Sequence, residues 1–192
     1  MPQGRHGITG ESSKRIFLDA GAVYFNYGNA NEILLGATRD GSTFELDRTL
    51  REMEVDGALG RMKGFTRREE VLPQLVVNML ELTVDNFIKA VAGAVYEEDV
   101  DVDGRLYTVI KGGEILDTVY IENVALVGTL SGKQDPIIIV LKNVIADNGF
   151  DLDTAHRDEA VPEVTFLAHF DPENPDEEPW EIRYPQDEDT TT

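Results

Sequence analysis

The stretch STFELDRTLREMEVDGALGRMKGFTRREEVLPQLVVNMLELT, residues 42–83, decides the fold. In its first part Phe44, Leu46 and Leu50 alternate with Glu45, Asp47, Thr49 and Arg51, and Arg48 interrupts the apolar row. A period of two is the mark of a β-strand with one wet face. The last part, EEVLPQLVVNMLELT (69–83), resumes an apolar strand. Between them EVDGALGRMKGF (54–65) packs Gly57, Gly60 and Gly64 around the cations Arg61 and Lys63. The chain goes out along one strand, makes a long excursion over about residues 52–70, and returns along another. That is an oversized hairpin, not a connection between domains.

The glycines of the excursion do not make a phosphate cradle. A P-loop needs G-x-x-x-x-G-K-[ST], so that backbone N–H groups wrap the phosphate while Lys and a hydroxyl serve the charge and the magnesium. Gly57 and Gly60 are too close for that, Gly64 follows Lys63, and Phe65 stands where Ser or Thr is required. The dinucleotide fingerprint fails as well, which leaves a mobile loop. Its charge is distinctive. The chain carries 37 acids and 17 bases, a net charge of −20, yet Arg48, Arg51, Arg61, Lys63, Arg67 and Arg68 all fall within residues 48–68. A cationic loop on an anionic chain suits contact with another copy of the same chain. A solvated charged loop accounts for the same residues equally well.

The rest of the chain supports a mainly β fold with one helix. RIFLDAGAVYFNYG (15–28) reads as a strand with a break at Gly21, and RLYTVI (105–110), ILDTVYIENVALVG (115–128), PIIIVLKNVIA (136–146) and VPEVTFLAHF (161–170) are strand-like. The one helix, over about residues 83–95, sets Val84, Phe87, Ile88, Val91, Ala92 and Val95 on an apolar stripe, with Thr83 as N-cap and Asp85 in the first turn. Several strands and one helix predict a β-sandwich or partly open barrel. Residues 1–14 are polar and aperiodic and read as a flexible arm. Residues 171–192 are acidic and rich in proline and read as a second arm, which Trp180, Ile182 and Tyr184 anchor against a neighbour.

With 192 residues, 41% of them hydrophobic, the chain can bury the core of one ordinary domain, residues 15–170. It has no cysteine, so disulfides and thiolate metal sites are excluded. The polar N-terminus and the lack of a long apolar run predict a soluble chain made in a cytoplasm, without a membrane partner. The acidity argues against gripping nucleic acid through its phosphates. DVDVDG (99–104) opens like a calcium loop, but the twelfth position is Ile110 where a bidentate Glu is needed, and the following segment reads as a strand. A tight turn at Asp103-Gly104 is the better reading. His6, His156 and His169 lie far apart without ligand spacing. The sequence therefore predicts no catalytic, cofactor or metal residues, and no enzyme.

Two segments together resemble a known family. LLGATRDGSTFELDRTLREMEVDGALGRMKGFTRREEVLPQLVVNMLELT (34–83) is similar to the matching part of major tail tube proteins of long, non-contractile-tailed (siphovirus-type) bacteriophages. VPEVTFLAHFDPENPDEEPWEIRYP (161–185) resembles the strand and arm that end such chains. The resemblance covers roughly half the chain and implies a structural virion protein, made and assembled in the host bacterial cytoplasm. It implies a β-sandwich with a flanking helix, hexameric rings that stack into a tube, and inner sheets joined as one barrel around a lumen. DNA passes through that lumen during ejection without specific binding. Implied partners are further copies of the chain, the tape-measure protein, the tail terminator and the distal tail protein. On this reading Gly57, Gly60, Arg61, Lys63, Gly64, Arg67 and Arg68 make inter-ring loop contacts, and Trp180, Ile182 and Tyr184 anchor the C-terminal arm. Glu45 and Asp47 become candidate lumen acids, although an ordinary outward sheet face would look the same. A tail terminator or head–tail joining ring protein shares the fold, and a non-catalytic β-sandwich binding module is the further alternative.

Overall fold

The computed structural model describes residues 7–149 and 151–186; residues 1–6, with His6, and the end of the C-terminal arm, 187–192, lie outside them. In chain order the strands are β1 (Phe17–Phe25), β2 (Ile33–Leu34), β3 (Thr38–Glu52), β4 (Thr66–Met79), β5 (Ala94–Val102), β6 (Arg105–Gly112), β7 (Ile121–Leu130), β8 (Ile137–Ala146), β9 (Glu163–Ala168) and β10 (Trp180–Arg183). One α-helix, α1 (Val84–Ala90), stands among the described residues. The main sheet is antiparallel and runs β2-β1-β7-β8-β9-β4-β3 without closing into a barrel. β10 pairs with β8, and β5 with β6 forms a separate two-stranded ribbon. No helix among the described residues is long and apolar enough to cross a membrane.

The sheet doubles over on itself. Phe25 of β1 and Phe166 of β9 meet edge to face with ring centroids 5.5 Å apart, although β7 and β8 separate their strands in the sheet. Between the two halves Val23, Val124, Leu126, Leu141 and Val144 join Leu75, Val77, Met79 and Val164 in one buried cluster. β4 shows how the sequence sets this up. Val71, Pro73, Leu75, Val77 and Met79 are buried and the residues between them are not, the alternation of a strand with one face on the core. The break foreseen at Gly21 is there too: the β1–β7 register slips between Leu18 and Ala22, and Gly21 has φ +73°. Asp103 and Gly104, both at positive φ, turn β5 into β6 as read from sequence.

Two expectations need correction. The segment 115–128 enters the sheet only at Ile121, after a 3₁₀ turn at Asp117–Val119. The helix keeps its N-cap, since Thr83 Oγ1 accepts from the Asn86 N–H at 3.1 Å, but it ends at Ala90 and not at 95. Val91 is already extended, Gly93 turns the chain at φ +73°, and Val95 is an exposed strand residue. A β-carbon on Gly93 would come within 2.8 Å of the Glu114 carbonyl oxygen, so the chain can turn tightly there only without a side chain. With two turns at most, the helix buries Asn86 and Ala90 and leaves Val84 exposed, contrary to the apolar stripe.

Asn86 is a structural polar residue. It is 2% exposed, and its amide donates to the carbonyls of Leu35 and Glu81, both at 2.8 Å, tying the helix to the strands on either side. Asn86→Ala strands both acceptors in the interior. The expected loss is about 2–3 kcal/mol in urea denaturation; a loss under about 0.5 kcal/mol would contradict this role.

Candidate functional site

The hairpin of β3 and β4 dominates the surface. Its register runs from Ser42↔Val77 to Glu52↔Thr66, with a bulge between Thr49 and Leu50. β9 pairs with β4 only at Gln74–Asn78, so the distal hairpin pairs with nothing but itself. Met53 N–H donates to Phe65 O at 3.0 Å and closes the arm, leaving residues 53–65 as its tip. β4 thus starts earlier than the sequence suggests. Arg67 and Arg68, assigned to the loop, sit on the strand. Arg67 donates to the carbonyls of Gly64 and Thr66 and steadies the base of the tip.

Arg61 and Lys63 are exposed and carry no ion pair among the described residues. Gly57 and Gly64 adopt φ +85° and +90°, conformations that a side chain would strain, whereas Gly60 does not. Charge alone missed half of the tip's chemistry. Leu50, Met53, Val55, Leu59 and Met62 are all exposed, and Leu59 is wholly so. The signal was present in the sequence as apolar residues scattered between charges, without a period that would mark a buried face.

The second cluster lies where the C-terminal segment returns. β10 pairs with β8 of its own chain, Trp180↔Leu141 and Ile182↔Ile139. This corrects the expectation that Trp180, Ile182 and Tyr184 grip a neighbour. Trp180 is half-buried against Phe44, with ring centroids 6.1 Å apart, and the Arg48 guanidinium stands 5.7 Å from the centre of its ring. Ile182 and Tyr184 are exposed. The Trp180 indole donates to Glu178 at 2.6 Å, Arg48 reaches the same carboxylate at 2.8 Å, and Arg68 binds its other oxygen. Arg68 is therefore committed to its own C-terminal segment and not to a neighbouring ring. Arg48 breaks the apolar row of β3 because the face it shares with Phe44 and Leu46 meets Trp180 and Glu178 at that point. Burial pushes the Glu178 carboxyl up, but the hydrogen bonds from Trp180 and Arg68 and the charge of Arg48 outweigh it, and its pKa lies below the ordinary glutamate value.

Glu45 and Asp47 lie on the opposite, exposed face of β3, and Gln74 donates to Glu45 at 2.6 Å. By register Glu70 of β4 and Glu163 of β9 share that face, and no Lys or Arg joins it until the facing pair Arg51 and Arg67 at the base of the tip. The outer edge of β3 ends the sheet, so a strand spanning Thr38–Glu52 has no partner on that side among the described residues. At the other end β2 covers β1 only at Tyr24 and Phe25. Among the described residues no three His, Asp or Glu side chains stand close enough to share a metal ion. Comparison with models of known protein families and with curated proteins gives no match.

Proposed function

We propose that the chain is a tail tube subunit: copies join edge to edge into hexameric rings, the rings stack, and DNA passes through the tube during ejection. The observation that carries this reading is the β3–β4 hairpin. It combines a long strand edge without a partner, a tip rich in exposed apolar side chains, and unpaired cations on a chain of net charge −20. A long open edge is a liability for a solitary protein, and pairing it with a neighbour removes the liability. The edge of β3 and the edge of β1 are different surfaces, so their contact is heterologous and closes as a ring or propagates. On this reading the tape-measure protein occupies the tube during assembly, and the terminator and distal tail protein meet its two ends.

The acidic face of Glu45, Asp47, Glu70 and Glu163 then lines the lumen. Fixed negative charge there repels phosphates, so DNA moves without sticking. Glu45→Lys with Asp47→Lys is expected to leave tube formation intact and to slow DNA release from assembled particles, most strongly at low salt. Ejection kinetics equal to wild type would remove these residues from the lumen. The self-association itself is tested by sedimentation velocity over a concentration series. Species that grow with concentration support a tube subunit, and a monomer at every concentration argues for the binding module.

A further inference from the structure

The β5–β6 ribbon stands apart from the main sheet, and a lone two-stranded hairpin is marginal in water. Its register, with Val95↔Lys111, Glu97↔Val109, Val100↔Tyr107 and Val102↔Arg105, sets Val95, Val100, Val102, Tyr107 and Val109 on one face. Val95 is 54% exposed, Tyr107 47% and Val102 46%. An apolar stripe of this kind needs a cover. The charge around it is one-sided. Glu98, Asp99, Asp101 and Asp103 carry no ion pair among the described residues, and the ribbon's one internal pair is Lys111 with Glu97 at 2.9 Å.

We propose that this ribbon on one copy receives the β3–β4 tip of the next. The occupant is chosen by chemistry on both sides. The tip offers Leu59, Met62 and Val55 beside the unpaired Arg61 and Lys63, and the ribbon offers a valine and tyrosine stripe rimmed by unpaired acids. Two like tips meeting would set cation against cation, and two ribbons acid against acid, so the mixed contact is the one electrostatics selects. Because the two surfaces differ, the contact is heterologous, and each copy that accepts a tip still presents its own. The pairing rests on the self-assembly reading and names the surface that reading leaves open.

The chain has no cysteine, so single thiols can be placed without background. A tagged Leu59→Cys chain is mixed with an untagged Val102→Cys chain and oxidised mildly. The expected product is a disulfide dimer of one tagged and one untagged chain, several-fold above the like-with-like products. Adding Arg61→Glu and Lys63→Glu to the tagged chain is expected to suppress it. So is raising salt from ~0.1 M to ~1 M, which shortens the screening length from about 10 Å to about 3 Å. Sedimentation of the same mixture separates the outcomes. Oligomers whose crosslinks join only like positions, or none, overturn the ribbon as receptor and leave self-assembly standing. Monomers without crosslinks overturn both.

Discussion

Deleting residues 57–64 is expected to leave a folded chain that no longer stacks. Every residue of the core lies outside the tip, and the nearest strand pair, Glu52↔Thr66, is untouched. The deletion reduces the loop from 53–65 to 53–56 and Phe65, and a shorter loop costs less closure entropy, so stability should hold or rise by ~1 kcal/mol. What goes is Arg61 and Lys63 together with Leu59 and Met62, the charge and the apolar surface of the tip. Thermal melting checks the first half of this expectation, and electron microscopy of the concentrated protein checks the second. Tubes of normal length from the deleted chain would show that the tip takes no part in stacking.

Trp180→Ala is expected to release the C-terminal segment from the sheet. The change removes the contacts with Phe44 and Arg48 and the hydrogen bond to Glu178, and it leaves a short strand of four pairs holding to β8. For a half-buried indole the loss is about 2–3 kcal/mol, below the range for a fully buried one. Hydrogen exchange should therefore accelerate at residues 180–183 while β4 and β7 stay protected. Unchanged protection at 180–183 would mean that the β8 pairing suffices without the indole. Acid should loosen the same contact. The folded pKa of Glu178 lies below the unfolded one, so its contribution is present in full above the unfolded value and is lost as pH falls through the folded one. Protection of 180–183 should drop between roughly pH 5 and pH 3, and Glu178→Gln should flatten that dependence.

The features legible in the sequence are those written in local periodicity. The alternation of 43–47 and 71–79, the break at Gly21, the Thr83 cap and the Asp103-Gly104 turn all depend on neighbours within a few residues. What the sequence hid depends on distant partners. The segment 91–95 continues a helical spacing, yet the approach of Gly93 to Glu114 ends the helix. A proline-rich acidic tail looks unable to pack alone. It packs because Trp180 and Glu178 find Arg48 and Arg68 across more than a hundred residues of chain. Arg48 was visible as an irregularity, but nothing nearby in sequence says what it faces. The apolar surface of the tip and of the β5–β6 ribbon was equally hard to read, because exposed and buried valines look alike until the strands are placed.

Electron cryomicroscopy of the concentrated protein tests the central claim most directly. The expected result is tubes of indefinite length whose cross-sections show sixfold symmetry, with β3 of one copy beside the β1 edge of the next and the Glu45/Asp47 face toward the axis. Particles of one or two rings that never lengthen would contradict it, as would tubes whose lumen is lined by another face of the sheet.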